Sequence, residues 1–348
     1  MRFLKLFRAA AAALSIFPAG HACAGVTNPD ISALGQVLGG YTNDPASADA
    51  DEPTLKLGEA EILLDAYLNP YFKGGFTLSA GVEGVGLEEA WTSMFKGLPW
   101  GLGFKAGKYR LGFGNLNAFH PHAYPFIAPP RAMASLLFGE EGFNETAAQV
   151  SALLPTPGDW AATVSVDMLE GAAFHEGQEG TRLGWLGRWA NDFLLGESGA
   201  LQVGLSGATG TDDLARESRA YLAGADIKAK LPIGESDRIT LQAEAVYRRD
   251  HALDSAASTE QERTGFLGFC EYRFHTRWSG GLMYERWEPD GSGTADQAMR
   301  AFAGFSVLEE STIVRLAFER FLPDGADQID TATLQLLFSM GPHKAHRF

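Results

Sequence analysis

Residues 239–249, ITLQAEAVYRR, decide how this chain is read. Ile239, Leu241, Ala243, Ala245 and Tyr247 fall on one side of an extended backbone, and Thr240, Gln242, Glu244 and Arg248 fall on the other. Successive side chains of a strand point to opposite faces, so this period of two describes a strand with one apolar and one polar face. The stretch YLAGADIKAKL, residues 221–231, repeats the pattern, with Tyr221, Ala223, Ala225, Ile227, Ala229 and Leu231 opposing Asp226, Lys228 and Lys230. So does TATLQLLFSM, residues 331–340, where Ala332, Leu334, Leu336, Phe338 and Met340 oppose Thr333, Gln335 and Ser339. No stretch beyond residue 25 keeps helical i, i+3, i+4 spacing for more than a few turns, so the chain reads as all-β.

A soluble β-sandwich also alternates, and the connections separate the two cases. Candidate strands fall near 31–40, 55–66, 70–80, 85–95, 101–111, 145–154, 159–168, 181–192, 199–208, 218–231, 237–249, 262–274, 276–288, 298–308, 311–321 and 330–339. Links after even-numbered strands are short, as in KGLPW, PTPGD and PIGES. Links after odd-numbered strands are mostly longer and polar, as in TNDPASADADEP, DHALDSAASTEQ and EPDGSGTADQ. Short turns at one end and long loops at the other describe a transmembrane antiparallel up-and-down β-barrel of about 16 strands, with 14 if two weaker segments fail. A bilayer core offers no water to backbone groups, so such a sheet must close and leave no edge. The apolar faces then meet outer-membrane lipid, and Trp160, Trp185, Trp189, Trp278, Tyr221, Tyr247, Tyr272 and Tyr284 are candidates for interfacial girdles.

The first residues fit export. Arg2, Lys5 and Arg8 precede an apolar run from Ala9 to Phe17, and Ala22-Cys23-Ala24 resembles a cleavage site, so 1–24 reads as a signal peptide and 25–348 as the barrel. Cleavage leaves Cys270 as the one thiol, so no disulfide stabilises the domain. The formal charge of −15 becomes −18 without Arg2, Lys5 and Arg8, which argues against a nucleic-acid partner.

At sixteen strands the interior is expected to be wide enough for water, which makes wall charge the functional variable. Inward bases would include Lys73, Lys105, Arg182, Arg188, Lys228, Lys230 and Arg248, and inward acids Glu59, Glu61, Asp167, Asp226, Glu244, Glu271, Glu285 and Glu319. Arg273, Arg277, Arg300 and Arg315 would form a basic ladder for anions, unless such charges merely pair across strands.

One connection breaks the spacing. Residues 112–144 form a long third external loop, and loops of this length in compact structures are usually functional or disordered. Phe113, Phe119, Tyr124, Phe126, Ile127, Leu136, Leu137, Phe138 and Phe143 make disorder costly, so the loop is expected to fold into the lumen and narrow it. The candidate narrow zone comprises Lys105, Arg110, His120, His122, Arg131, Glu140 and Glu141. His120 and His122 flank Pro121 and, with Glu140 and Glu141, have donor types suited to zinc, although the fixed spacing of a full ligand set is missing. His343 and His346 are a second, weaker pair. No cofactor is otherwise implied. Asp250, His251 and Ser255 sit in a solvating loop without the features of a nucleophile–base pair, and an enzyme is not expected.

LKLGEAEILLDAYLNPYFKGGFTLS (55–79), LEEAWTS (87–93) and FKAGKYRLGFGNLN (104–117) are similar to the early strands of phosphate-selective porins. FHPHAYPF with FGEEGFNE, and GPHKAHRF at 341–348, resemble poorly characterised outer-membrane relatives labelled zinc-regulated receptors. The resemblance implies an outer-membrane porin for passive diffusion of small hydrophilic solutes or ions, folded by the barrel assembly machinery and, by analogy with trimeric porins, a homotrimer. The alternative is a non-conducting barrel serving as a structural protein, adhesin or metal-related receptor.

Overall fold

The computed structural model describes residues 29–81, 84–175, 177–252, 259–308 and 311–341. The signal segment 1–24, Ser255, His343 and His346 lie outside the described residues. Sixteen strands follow in order: β1 Asp30–Thr42, β2 Thr54–Tyr67, β3 Phe72–Gly81, β4 Gly84–Met94, β5 Leu102–Arg110, β6 Asn144–Leu154, β7 Trp160–Leu169 and β8 Gly184–Leu195. The second half comprises β9 Gly199–Asp213, β10 Ser218–Ile233, β11 Asp237–Ala252, β12 Thr259–Phe274, β13 Trp278–Trp287, β14 Asp296–Leu308, β15 Thr312–Leu322 and β16 Ile329–Met340. Each strand pairs antiparallel with its sequence neighbours, and β1 closes the barrel on β16, with Val37 opposite Leu336.

The period of two is seen directly in β16. Leu334 is 52% exposed on the outer face, whereas Gln335 is 1% exposed and bonded inside to Arg315 and Gln36. Trp185, Trp189, Tyr221, Trp278 and Tyr272 are exposed among many outward Leu, Ile and Phe side chains. An apolar outer face on an edgeless sheet is what a lipid surround requires.

Two expectations change. β8 begins at Gly184, so Arg182 lies in the preceding connection, and Arg277 lies in the turn before β13. The links after odd strands include a short one, 214–217 between β9 and β10, among longer ones such as 43–53 and 170–183, in keeping with a mostly longer set. The inner wall is not simply polar: Leu186, Leu222, Val246, Leu267, Phe269, Met283, Trp287 and Phe302 face inward and are buried. These side chains pack with the segment between β5 and β6, residues 111–143, whose Phe113, Phe126, Leu137 and Phe143 are fully buried in the same cluster. Burial against the connection, rather than contact with water, is why apolar residues stand on the inner face.

Candidate functional site

The segment 111–143 is held by side chains from widely separated strands. At its neck the Leu111 amide donates to Phe143 O at 2.9 Å, and Asn117 Nδ2 donates to Leu111 O and Phe143 O at 2.8 and 3.0 Å. Asn117 Oδ1 accepts from the Phe143 amide at 2.8 Å, so one side chain ties both ends together. Glu244 of β11 accepts from the amides of Asn115 and Leu116, at 3.0 and 2.7 Å, at the start of a short 3-10 turn. Glu285 of β13 accepts from the Ala132 amide, at 3.0 Å, in the first turn of helix α1, Arg131–Leu136. These carboxylates satisfy amides that helical turns leave unpaired. At the other end of α1, Arg248 donates to Leu136 O at 3.1 Å and lies over the Phe138 ring. From β14 and β15, Arg300 donates to Ala128 O at 2.7 Å, Arg315 to His122 O at 3.1 and 3.2 Å, and Glu319 accepts from both Arg131 and Arg300. A segment that meets β11, β13, β14 and β15 at once lies against the inward faces of these strands.

The two histidines meet carboxylates that neighbour neither of them in sequence. His122 Nδ1 is 2.9 Å from Glu61 Oε1 on β2, and His120 Nδ1 is 2.9 Å from Glu88 Oε2 on β4 and 3.7 Å from Glu61 Oε2. Glu89 Oε1 lies 3.6 Å from His120 Nε2, and the two imidazoles stack with centroids 5.6 Å apart. Glu88 and Glu89 are consecutive yet both face the interior, because a bulge interrupts the β3–β4 register there: Thr77 opposes Glu89 and Leu78 opposes Leu87. An extra residue in one strand re-aims the side chains beside it. A second irregularity, between Gly35 and Val37 of β1, falls beside Glu59. Burial pulls the His120 imidazole down, and its bonds with Glu88 and Glu89 outweigh this and hold it at about 9.

On the short-turn side of the segment lies a cavity of about 510 Å³. Phe119, His122 and Tyr124 line it from the segment, and Lys228, Lys230, Arg238, Arg273, Arg277 and Arg315 from the wall, with Glu271 the one carboxylate of the lining among the described residues. Arg273, Arg277 and Arg315 of the expected ladder therefore come together. Arg300 does not join them: it sits with Glu285 and Glu319 and supports the segment. Lys228, Lys230 and Arg238 complete the basic set, and Arg238, the first base of β11, had no place in the expected inward charges.

The remaining narrow-zone candidates separate. Lys105 lies over the rings of Tyr109 and Trp91, at 3.8 and 4.7 Å. Arg110 donates to Glu141 O at 2.8 Å near the neck. Arg131 starts α1, and its guanidinium covers the Phe321 ring at 4.4 Å. Glu140 and Glu141 are exposed, the latter with 67% of its side chain accessible, and neither is among the carboxylates that meet the histidines. His251 bonds Asp212, at 2.9 Å, while Asp250 pairs with Arg248 and Arg263, so the two neighbours turn to different partners.

The architecture is that of bacterial outer-membrane channels of the porin type. The Vibrio cholerae outer-membrane protein OmpT lacking loop L8 superposes with a TM-score of 0.61 at 9% identity, over 90% of this chain and 99% of that one. The outer-membrane channel DcaP of Acinetobacter baumannii matches with a TM-score of 0.60 at 11% identity, over 90% and 97%. A trimer form of OmpT matches with a TM-score of 0.57 at 9% identity, over 90% and 99%. At these identities the likeness is one of fold. In sequence, an uncharacterised protein of Aquifex aeolicus is 28% identical over 258 residues, which span 66% of this chain and 54% of that protein. The chain matches no protein-family profile.

Proposed function

We propose that the chain is a porin-like diffusion channel of the bacterial outer membrane for small hydrophilic solutes, narrowed by segment 111–143 and preferring anions. The single observation that carries the preference is the cavity beneath the segment, where, among the described residues, six basic side chains face one carboxylate. Low-dielectric walls focus the field of like charges, raising the local concentration of the opposite ion. The resemblance to phosphate-selective porins makes phosphate the first anion to compare with chloride. The trimer form of OmpT supports a homotrimer, which cross-linking in detergent would reveal.

Planar-bilayer recording tests this reading. Discrete conductance steps are expected, with a reversal potential in asymmetric salt that favours the anion. Replacing Lys230, Arg273 and Arg277 with Gln should move that potential toward zero. A cation preference in the unaltered protein would remove the anion reading. Deletion of 117–134 should raise the conductance; an unchanged value would mean that the segment does not narrow the path.

One observation favours a second reading, a barrel closed at rest. The segment packs as a dry core, with Phe126 0% exposed and set edge-on to Phe269 and Phe302. A silent unaltered protein beside a conducting deletion would support it.

A further inference from the structure

We propose that Glu61, His120 and His122, with Glu88 as the fourth donor, form a binding site for a divalent transition metal of the zinc type, which pins segment 111–143 to β2 and β4. The inference rests on the local geometry and is independent of whether the barrel conducts.

One donor atom from each of Glu61, His120 and His122 lies within 4.8 Å of the others, and Glu88 stands in the same relation to Glu61 and Glu59. The donor pairs measure 2.9 Å for His122–Glu61, 2.9 Å for His120–Glu88 and 3.7 Å for His120–Glu61. A tetrahedral ion with bonds near 2.0–2.1 Å separates its ligands by roughly 3.3 Å, so small side-chain movements would close the shell. Two imidazoles with carboxylates suit zinc and its first-row neighbours, whereas calcium and magnesium favour oxygen alone.

Burial is the second, separate observation. Glu61 and Glu88 are only 3% and 7% exposed; among the described residues Oε2 of Glu61 has no hydrogen-bond partner, and Oε2 of Glu88 has the His120 imidazole beside it. A buried carboxylate oxygen left in this way is costly. Glu59, Glu61, Glu88 and Glu89 also place four formal negative charges around two imidazoles, an excess that a divalent cation offsets. The bulge that turns Glu88 and Glu89 inward together is the backbone feature that completes the set.

The test uses the whole chain, folded in detergent without a polyhistidine tag, and zinc and cobalt(II) chlorides as probes. Equilibrium dialysis should find one zinc per chain. Cobalt(II) should give the visible absorption of a four-coordinate ion, which zinc abolishes. His122→Ala and Glu61→Gln should each weaken zinc binding by at least the roughly 10–100-fold that loss of an outer-shell partner costs elsewhere. His343→Ala with His346→Ala should leave it intact. Heat-modified electrophoretic mobility reports whether each variant is a closed barrel. If the site variants fail to fold, the cobalt spectrum of the unaltered protein decides, and absence of the bands overturns the site. Zinc binding that survives His122→Ala, or that is lost with His343 and His346, overturns it as well and leaves the cluster as an ion-paired anchor.

Discussion

Asn117 shows how much one side chain of the long connection carries. Its amide satisfies Leu111 O, Phe143 O and the Phe143 amide, all at the point where the segment leaves and re-enters the barrel wall. Asn117→Ala leaves the buried Phe143 amide unpaired, while Leu111 O and Phe143 O keep the Phe113 and Leu111 amides as donors, and a loss of about 1–3 kcal/mol follows from the unmade bond; the midpoint of urea unfolding in detergent checks it. Gly142 is adapted to the same contact, since its φ is +65° and a Cβ there would collide with Asn117 Oδ1. Gly142→Ala should therefore destabilise by more than the 1 kcal/mol or so that left-handed backbone alone costs. Equal stability of this variant and the native protein would show that the neck adjusts without Asn117.

At the scale of elements, the segment and the strands it docks on form one packing unit. Phe126 is enclosed by Phe269 and Phe302, and Phe126→Ala should cost about 3–5 kcal/mol of packing. Because the sheet closes without this ring, the expected readout is faster proteolysis within 111–143 while the heat-modified mobility of the barrel is kept. A variant as protease-resistant as the native protein would show that Phe126 does not hold the segment. The sixteen strands were legible because alternation is a local property: side chains two apart share a face whatever the chain does elsewhere. Ends were less legible, and Arg182 was misplaced because β8 starts three residues later than its pattern suggests. Docking of the segment left a readable trace that polarity alone concealed. Leu222 and Val246 interrupt otherwise polar faces, and both are buried in the cluster that holds the segment. The carboxylates around His120 were only partly accessible. Glu59 and Glu61 follow from parity in β2, but Glu88 faces inward only through a bulge, and a bulge is a property of two strands together. Adjacency in sequence pointed instead to Glu140 and Glu141, which solvent holds outside.

For the whole molecule, total charge and functional charge diverge. The sequence carries −15 overall, yet the cavity below the segment is basic, because a wall in which neighbouring strands contribute alternate residues selects its own subset of charges. Which face meets lipid and which meets water is therefore the global question, and the thiol chemistry of the chain can answer it. Cys270 is exposed on the outer face of β12, between Leu241 of β11 and Leu282 of β13. In a bilayer it should be surrounded by acyl chains, where the reactive thiolate is suppressed. A charged, water-soluble maleimide should then fail to label Cys270 in liposomes and succeed after urea unfolding. Ser306 lines the basic cavity, so Ser306→Cys in a Cys270→Ser background should be labelled in the folded state. Both outcomes follow from one register, since a shift of a single residue exchanges the faces of a strand. Rapid labelling of Cys270 in the bilayer would place water on the apolar face and contradict the membrane-spanning reading of the barrel.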